Sequence, residues 1–431
     1  MTDLPTADAA QPISTGLHDG RIAQLDVVRG VAVMGILAMN IVAFTMPFQA
    51  YLNPTSYGLD GPADLASWAF NYVFVDGKMR GLFSFLFGAS TLLVIERAEA
   101  GGQSAVWTHY ARMFWLLIFG LAHFYLIWFG DILAAYALVG LVLFLFRSAP
   151  VRVLTAWGVV LIGVQCLLML GFGFRAFELA AAVAAPNPDP ALVEEWRGIT
   201  EIFGRATPQQ ISADIVLHGG PWTGQVQNRI VEHGAEPFTG IFFFGWETLA
   251  YMLFGMAALK SGFFRGEWPA GRYRRIVLIG LAISVPAYGA FAWLLVRDGF
   301  TAQMVVAMFA ATTPFRPVMI FAYAALIVLL ARGGGALAGR IAAAGRAAFT
   351  NYLGTSILMT ALFYGYGFGL YGTMSRIELW LPVLAVWALM LIWSKPWLER
   401  YHYGPLEWLW RSLARMEWQP MRRSPPSPTS P

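Results

Sequence analysis

Residues 113–146 read MFWLLIFGLAHFYLIWFGDILAAYALVGLVLFLF, 34 residues broken by one histidine and one aspartate. Wound as a single helix at about 1.5 Å per residue, the stretch measures roughly 51 Å. A bilayer hydrocarbon core is only ~30 Å thick. The stretch therefore folds back, and Phe129-Gly130-Asp131 is the place where glycine and aspartate make a turn easy. Two short apolar crossings are predicted, with Asp131 at their hairpin.

Outward from this hairpin the chain keeps the same character. Of its 431 residues 58% are hydrophobic and only 13% charged, and the mean hydropathy is +0.57. A soluble domain is about a quarter charged, so an ordinary globule is excluded. Apolar runs bounded by charge, Gly or Pro predict an all-α, polytopic integral membrane bundle of about ten transmembrane helices, near 27–48, 80–96, 112–129, 131–147, 152–174, 238–259, 275–296, 313–331, 347–365 and 378–394. With ten spans both termini share a side, and 20 of the 29 Lys and Arg fall there. The positive-inside rule makes that side cytoplasmic and the protein a multi-pass membrane component.

The domain organisation follows. Residues 1–20 read as a polar, disordered tail, residues 21–415 as one transmembrane domain and residues 416–431 as a second disordered tail ending in a Pro/Ser run. The connection 185–237 is long for a membrane protein and falls outside; Glu194 to Phe203 is predicted to form a short helix in a partly ordered lid. Pro314-Phe315-Arg316-Pro317 cannot continue a helix in lipid and predicts a re-entrant or interfacial segment. The single cysteine, Cys166, excludes a disulfide framework and a cysteine-built metal site, and basic residues scattered as loop punctuation give no nucleic-acid footprint. No metal or bound cofactor is expected.

Ionisable side chains at membrane depth are costly and so become functional candidates. His123 lies eleven residues past Arg112, and Glu247 lies thirteen before Lys260, at matched depth on two spans. A carboxylate beside His123 would orient it as a general base, with Glu247 or Asp131 in that role. Asp131 has a second reading as the cap of the following helix. Asp26 and Arg29, at i and i+3 on the first span, suit a local ion pair or a phosphate-bearing donor. Lys78 and Arg80 precede the second span and read as anchors that snorkel to the outer surface. Arg316 in the broken segment is a candidate for the substrate path.

Five segments together resemble one family. They are Leu25-Asp26-Val27-Val28-Arg29-Gly30, Leu82-Phe83-Ser84-Phe85-Leu86-Phe87-Gly88, His123 ahead of Gly130-Asp131-Ile132-Leu133-Ala134-Ala135-Tyr136, Gly345-Arg346-Ala347-Ala348-Phe349-Thr350-Asn351-Tyr352-Leu353 and Gly404-Pro405-Leu406-Glu407-Trp408-Leu409-Trp410-Arg411. The combination resembles the bacterial YeiB-like membrane proteins, a family named for its unknown function. The opening Leu-Asp-x-x-Arg-Gly also resembles the transmembrane acyltransferases, such as heparan-α-glucosaminide N-acetyltransferase, which use a cytoplasmic acyl donor and a catalytic histidine. That resemblance implies a donor-side role for Arg29. Sugar-acylating relatives carry a histidine eleven residues after this arginine, where Asn40 stands here, which leaves His123 for the base. Asn40, Lys78 in an alternative to its anchoring role, and the motif residue Asn351 complete the candidate substrate-binding set.

Three functions fit this sequence. In the first, acyl-CoA donates to an extracytoplasmic or lipid-linked acceptor, with Asp26 and Arg29 at the donor and His123, Asp131 and Glu247 at the chemistry. The second is a proton-coupled transporter or permease using the same ionisable residues with Arg316 on the path. The third is a lipid-binding or assembly factor in which these residues hold the bundle together.

Overall fold

The computed structural model describes residues 22–423. Among these residues it is all-helical, with no β-strand beyond a single bridge between Tyr401 and Arg422. In chain order the helices are α1 (Ala23–Thr45), α2 (Gln49–Leu52), α3 (Pro62–Phe70), α4 (Lys78–Ala100), α5 (Ala105–Ala122), α6 (Leu133–Leu143), α7 (Val151–Val183), α8 (Pro190–Phe203) and α9 (Pro208–Gly219). There follow α10 (Trp222–Val231), α11 (Glu236–Lys260), α12 (Ala270–Asp298), α13 (Ala302–Ala311), α14 (Phe315–Ala331), α15 (Ala336–Arg346), α16 (Ala348–Phe363), α17 (Trp380–Arg400) and α18 (Pro405–Arg415). Seven helical segments among the described residues are long and apolar enough to cross a membrane, or eight if α13 and α14, bent by 52° at their junction, count as one span. The protein is thus a helical, multi-pass membrane protein.

Burial separates the centre from the rim. In α1, 83% of the apolar window is inside the protein, and in α4 and α11 61%, whereas α5, α7, α12 and α17 keep only 22–28% inside. In lipid, apolar side chains gain little by leaving the bilayer, so central helices are held by close backbone approach rather than by hydrophobic burial. The α4–α11 crossing shows it: a Cβ on Gly88 would lie 1.9 Å from the Met252 carbonyl oxygen, and one on Gly255 1.7 Å from that of Phe85. At the α1–α15 crossing a Cβ on Gly30 would meet the Ile341 carbonyl oxygen at 2.1 Å, and one on Gly345 that of Asp26 at 2.0 Å. Two of the sequence motifs therefore face each other through their glycines.

Several expectations are modified. The second span does not begin in open water: α3 and a π-helical turn at Asn71–Val75 precede α4, so Lys78 is fully buried rather than snorkelling. The 185–237 connection is three helices, α8 to α10, and not one short helix; α9 opens with a Thr207–Gln210 capping box. The proline-flanked segment is the bend between α13 and α14. The tail 1–20 lies outside the described residues, as do 424–431. Residues 416–423, expected in the second tail, instead return along the end of α17, where His402 N donates to Met421 O and Arg423 N to Arg400 O.

Candidate functional site

The break between α5 and α6 builds the first part of the site. A π-helical turn at His123–Ile127 ends the α5 run, Trp128 is extended, and the chain reverses before α6. This places Asp131 Oδ1 2.8 Å from His123 Nδ1, both side chains being essentially inaccessible. The other carboxylate oxygen accepts from Ala134 N at 2.7 Å, so Asp131 caps α6 and holds the imidazole at once. His123 Nε2 is buried with no hydrogen-bond partner. With the proton assigned to Nδ1 and directed at the carboxylate, Nε2 carries the lone pair of a base. The ring packs edge-on to Tyr352 and Trp128, at centroid distances of 5.3 and 6.2 Å, and the Trp128 indole N–H is likewise unpartnered. His109 is a second buried histidine, but its Nε2 is taken by the Gly140 carbonyl at 3.0 Å.

Two cavities approach this dyad. One, of about 270 Å³, lies at the N-terminal end of α1 and is lined by Asp26, Arg29, Arg97, Arg112, Arg346 and Arg411. Arg29 donates to Asp26 Oδ1 and to Ser90 Oγ, each at 2.8 Å. Arg112 stacks its guanidinium over Trp410, 4.0 Å from the ring centre. Five guanidiniums against Asp26 and Glu407 make this an anion-attracting pocket. The other cavity, of about 850 Å³, is mostly aromatic and apolar, with Asn40, Arg80, Asp131 and Arg316 among its polar lining. Tyr136 lines both cavities, its hydroxyl bonded to Ser84 Oγ at 2.6 Å and donating to Arg80 O at 3.0 Å. Tyr352 lines the basic pocket, and Asp131 and Trp128 line the large one. The dyad therefore sits in the partition, against side chains of either cavity.

Glu247 is not the partner of His123. Its Oε1 and Oε2 accept from Arg316 Nη1 at 2.7 and 2.8 Å, Oε2 also accepts from Arg80 at 2.8 Å, and Oε1 accepts from the Tyr251 hydroxyl at 2.6 Å. The sequence gives matched depth along two helices but not the rotation of either, and the rotation turns Glu247 towards α4 and the α13–α14 bend. Arg80 is thereby a buried ion-pair partner and no surface anchor. Lys78 donates from Nζ to the Tyr72 carbonyl at 2.5 Å and lies 3.4 Å from the centre of the Tyr288 ring. Asn351, expected to bind substrate, is spent on structure: Nδ2 donates to Ala344 O and Ser394 Oγ, Oδ1 accepts from Trp393, and the residue lines neither cavity. Tyr136, Trp128 and the arginines Arg112, Arg346 and Arg411 were not legible as site residues, because each acquires a role only through packing of distant helices. The one available signal was the motif membership of Tyr136, Arg346 and Arg411.

Comparison with known proteins finds relatives over nearly the whole chain. Residues 258–417 match the family model described as "Protein of unknown function (DUF418)". The uncharacterized protein YeiB of Escherichia coli (strain K12) is 35% identical over 91% of this chain and 96% of its own length. The uncharacterized protein YxaH of Bacillus subtilis (strain 168) is 31% identical over 94% of this chain and 97% of its own. An uncharacterized 39.9 kDa protein from the amylase 3′ region of Bacillus acidopullulyticus is 27% identical, covering 92% and 94%. No solved structure matches. At 35% identity over nearly the full length of YeiB, the chain belongs to the YeiB-like family of membrane proteins.

Proposed function

We propose that the protein is a transmembrane acyltransferase of the bacterial inner membrane, with ten spans and both termini cytoplasmic, moving an acyl group from a cytoplasmic CoA-type donor to an extracytoplasmic or lipid-linked acceptor. The observation that carries this reading is the His123–Asp131 pair, buried in the partition between a basic pocket and a large apolar cavity, with Nε2 unengaged. The basic pocket suits a polyphosphorylated donor, whose phosphates Arg29 and its neighbouring guanidiniums would neutralise. His123 Nε2 takes the proton of an acceptor hydroxyl or amine, and the freed electron pair forms the new bond to the thioester carbonyl carbon. The carbon–sulfur bond breaks as the tetrahedral adduct collapses, and the imidazolium, stabilised by Asp131, returns the proton to the departing thiolate. The unpartnered Trp128 N–H is a candidate donor to the oxyanion of that adduct.

A second reading, proton-coupled transport, is favoured by one observation. The helix broken between α13 and α14 carries Arg316 into the wall of the large cavity, and interrupted helices often line transport paths.

The test is detergent-purified protein with acetyl-CoA and longer acyl-CoAs, reading melting temperature and release of CoA thiol. Donor stabilisation lost in Arg29→Ala, with thiol release lost in His123→Ala, supports acyl transfer. Folded protein that neither is stabilised by nor consumes any acyl-CoA overturns it, and proton-coupled flux in liposomes is then the measurement for the transport reading.

A further inference from the structure

Two guanidiniums line one part of the large cavity. Arg80 and Arg316 share the single carboxylate of Glu247, which has no exposed surface, while the side chains of Arg316 and Arg80 are 6% and 16% exposed. Asp76 lies on the same wall and accepts from the Tyr51 hydroxyl at 2.9 Å, and Lys78 sits under Tyr288. Arg316 engages both oxygens of Glu247 through Nη1 and turns Nη2 to Thr312. Arg80 commits Nη2 to Glu247 and makes only a long 3.4 Å contact from Nη1 to Thr248, and it lines the cavity. Arg80 is thus the side chain with donors left for a ligand.

The rest of the cavity has a different chemistry. Most of the remaining wall is apolar, with rings such as Phe124, Trp128, Phe172, Phe243 and Phe309, and Asp131, Glu201, Glu236 and Arg376 also line the cavity, which encloses about 850 Å³. That volume is at the upper end of ligand pockets and far exceeds what a bare anion needs. One charged end and a long aromatic body fit an amphiphile. The geometry points to a lipid carrying an anionic phosphate or carboxylate headgroup, seated with the headgroup on Arg80 and Arg316 and its apolar chain along the aromatic walls. On the acyltransferase reading this lipid is the acceptor; the binding itself does not depend on that reading.

The test uses the full chain in an uncharged detergent, with hexadecyl phosphate, inorganic phosphate and an uncharged hexadecyl glycoside as probes and melting temperature as readout. Hexadecyl phosphate is expected to raise the melting temperature saturably, and neither other probe to do so at equal concentration. Arg80→Gln removes the guanidinium donors that face the cavity while leaving the Arg316–Glu247 pair, and should weaken the effect by more than about tenfold. Gly240→Trp is the second variant: Gly240 lines the cavity and a Cβ there meets open space, so the indole is expected to plug the chain site without a backbone clash. Inorganic phosphate acting as well as the lipid would show a free-anion site and overturn the amphiphile. An equal shift with the glycoside, or a shift unchanged in both variants, would overturn the headgroup site. CoA thiol release is measured on the same samples, so lipid binding without turnover leaves this inference standing and counts against acyl transfer alone.

Discussion

Asp131 holds two things with one carboxylate: Oδ1 lies 2.8 Å from His123 Nδ1, and Oδ2 2.7 Å from the backbone nitrogen of Ala134. The imidazole orientation is therefore tied to the start of α6 and through it to the wall of both cavities. A cap and a functional carboxylate are not competing descriptions of this residue.

If His123 is the base, His123→Ala lowers thiol release by about 10²- to 10⁴-fold, the usual contribution of a general base. Asp131→Ala loses a comparable share and, having removed a helix cap, also costs about 1–2 kcal/mol of stability. His123→Ala keeps that cap but leaves Asp131 Oδ1 buried without its imidazole partner, so it is also expected to cost about 1–3 kcal/mol. Turnover and melting temperature measured on the same preparations separate the two effects.

Glu247→Ala leaves Arg80 and Arg316 buried without their shared counter-charge and is expected to destabilise by about 3–5 kcal/mol. Combining it with Arg80→Gln removes one of the stranded charges, so the double variant should lose less than the two single losses added together. Fluorescence-detected size exclusion after a heating series gives the comparison.

Gly255→Ala drives a methyl group into the Phe85 carbonyl of α4, where the ideal position is only 1.7 Å away. Backbone cannot rotate aside as a side chain does, so a loss of at least about 1–3 kcal/mol is expected. Gly240→Ala on the same helix meets open space and serves as the matched control. Folded yield and melting temperature check both.

Glu407 fastens α18 to the start of α16: Oε1 accepts from Phe349 N at 2.7 Å and Thr350 N at 3.1 Å, and Oε2 from Thr350 Oγ1 at 2.5 Å. Burial pushes its carboxyl above the ordinary value of 4.5, against the hydrogen bonds, which favour the ionised form. A raised folded-state pKa means the folded protein binds the proton more tightly than the unfolded chain. Its stabilisation is therefore full below pH 4.5 and is lost as pH rises through the folded-state value. Glu407→Gln should flatten that part of the stability–pH curve, read as melting temperature from pH 4 upward against wild type.

Much of the architecture was legible one segment at a time. The length of 113–146 demanded a reversal, and the chain does reverse between Trp128 and Ile132. The prolines around Arg316 demanded a break, and α13 and α14 meet at 52°. These are constraints of helix rise, bilayer thickness and backbone chemistry, which act along the chain. The capping box at Thr207 is equally local, but the reading of the 185–237 stretch passes over it and expects one short helix, at Glu194 to Phe203.

The class of the protein, its apolar segments and the short inventory of ionisable groups that must find partners can all be read along the chain. Which partner each one found was decided by tertiary structure. His123 met Asp131 because a π-helical turn shifted the end of α5, and Glu247 met Arg80 and Arg316 because glycine contacts such as Gly88 and Gly255 fixed how α4 and α11 cross. Depth in the membrane is a one-dimensional quantity that residue counting supplies. The rotation of a helix about its axis depends on the shapes of its neighbours, and that rotation divides the same few charges between the dyad in the partition and the two guanidiniums of the large cavity.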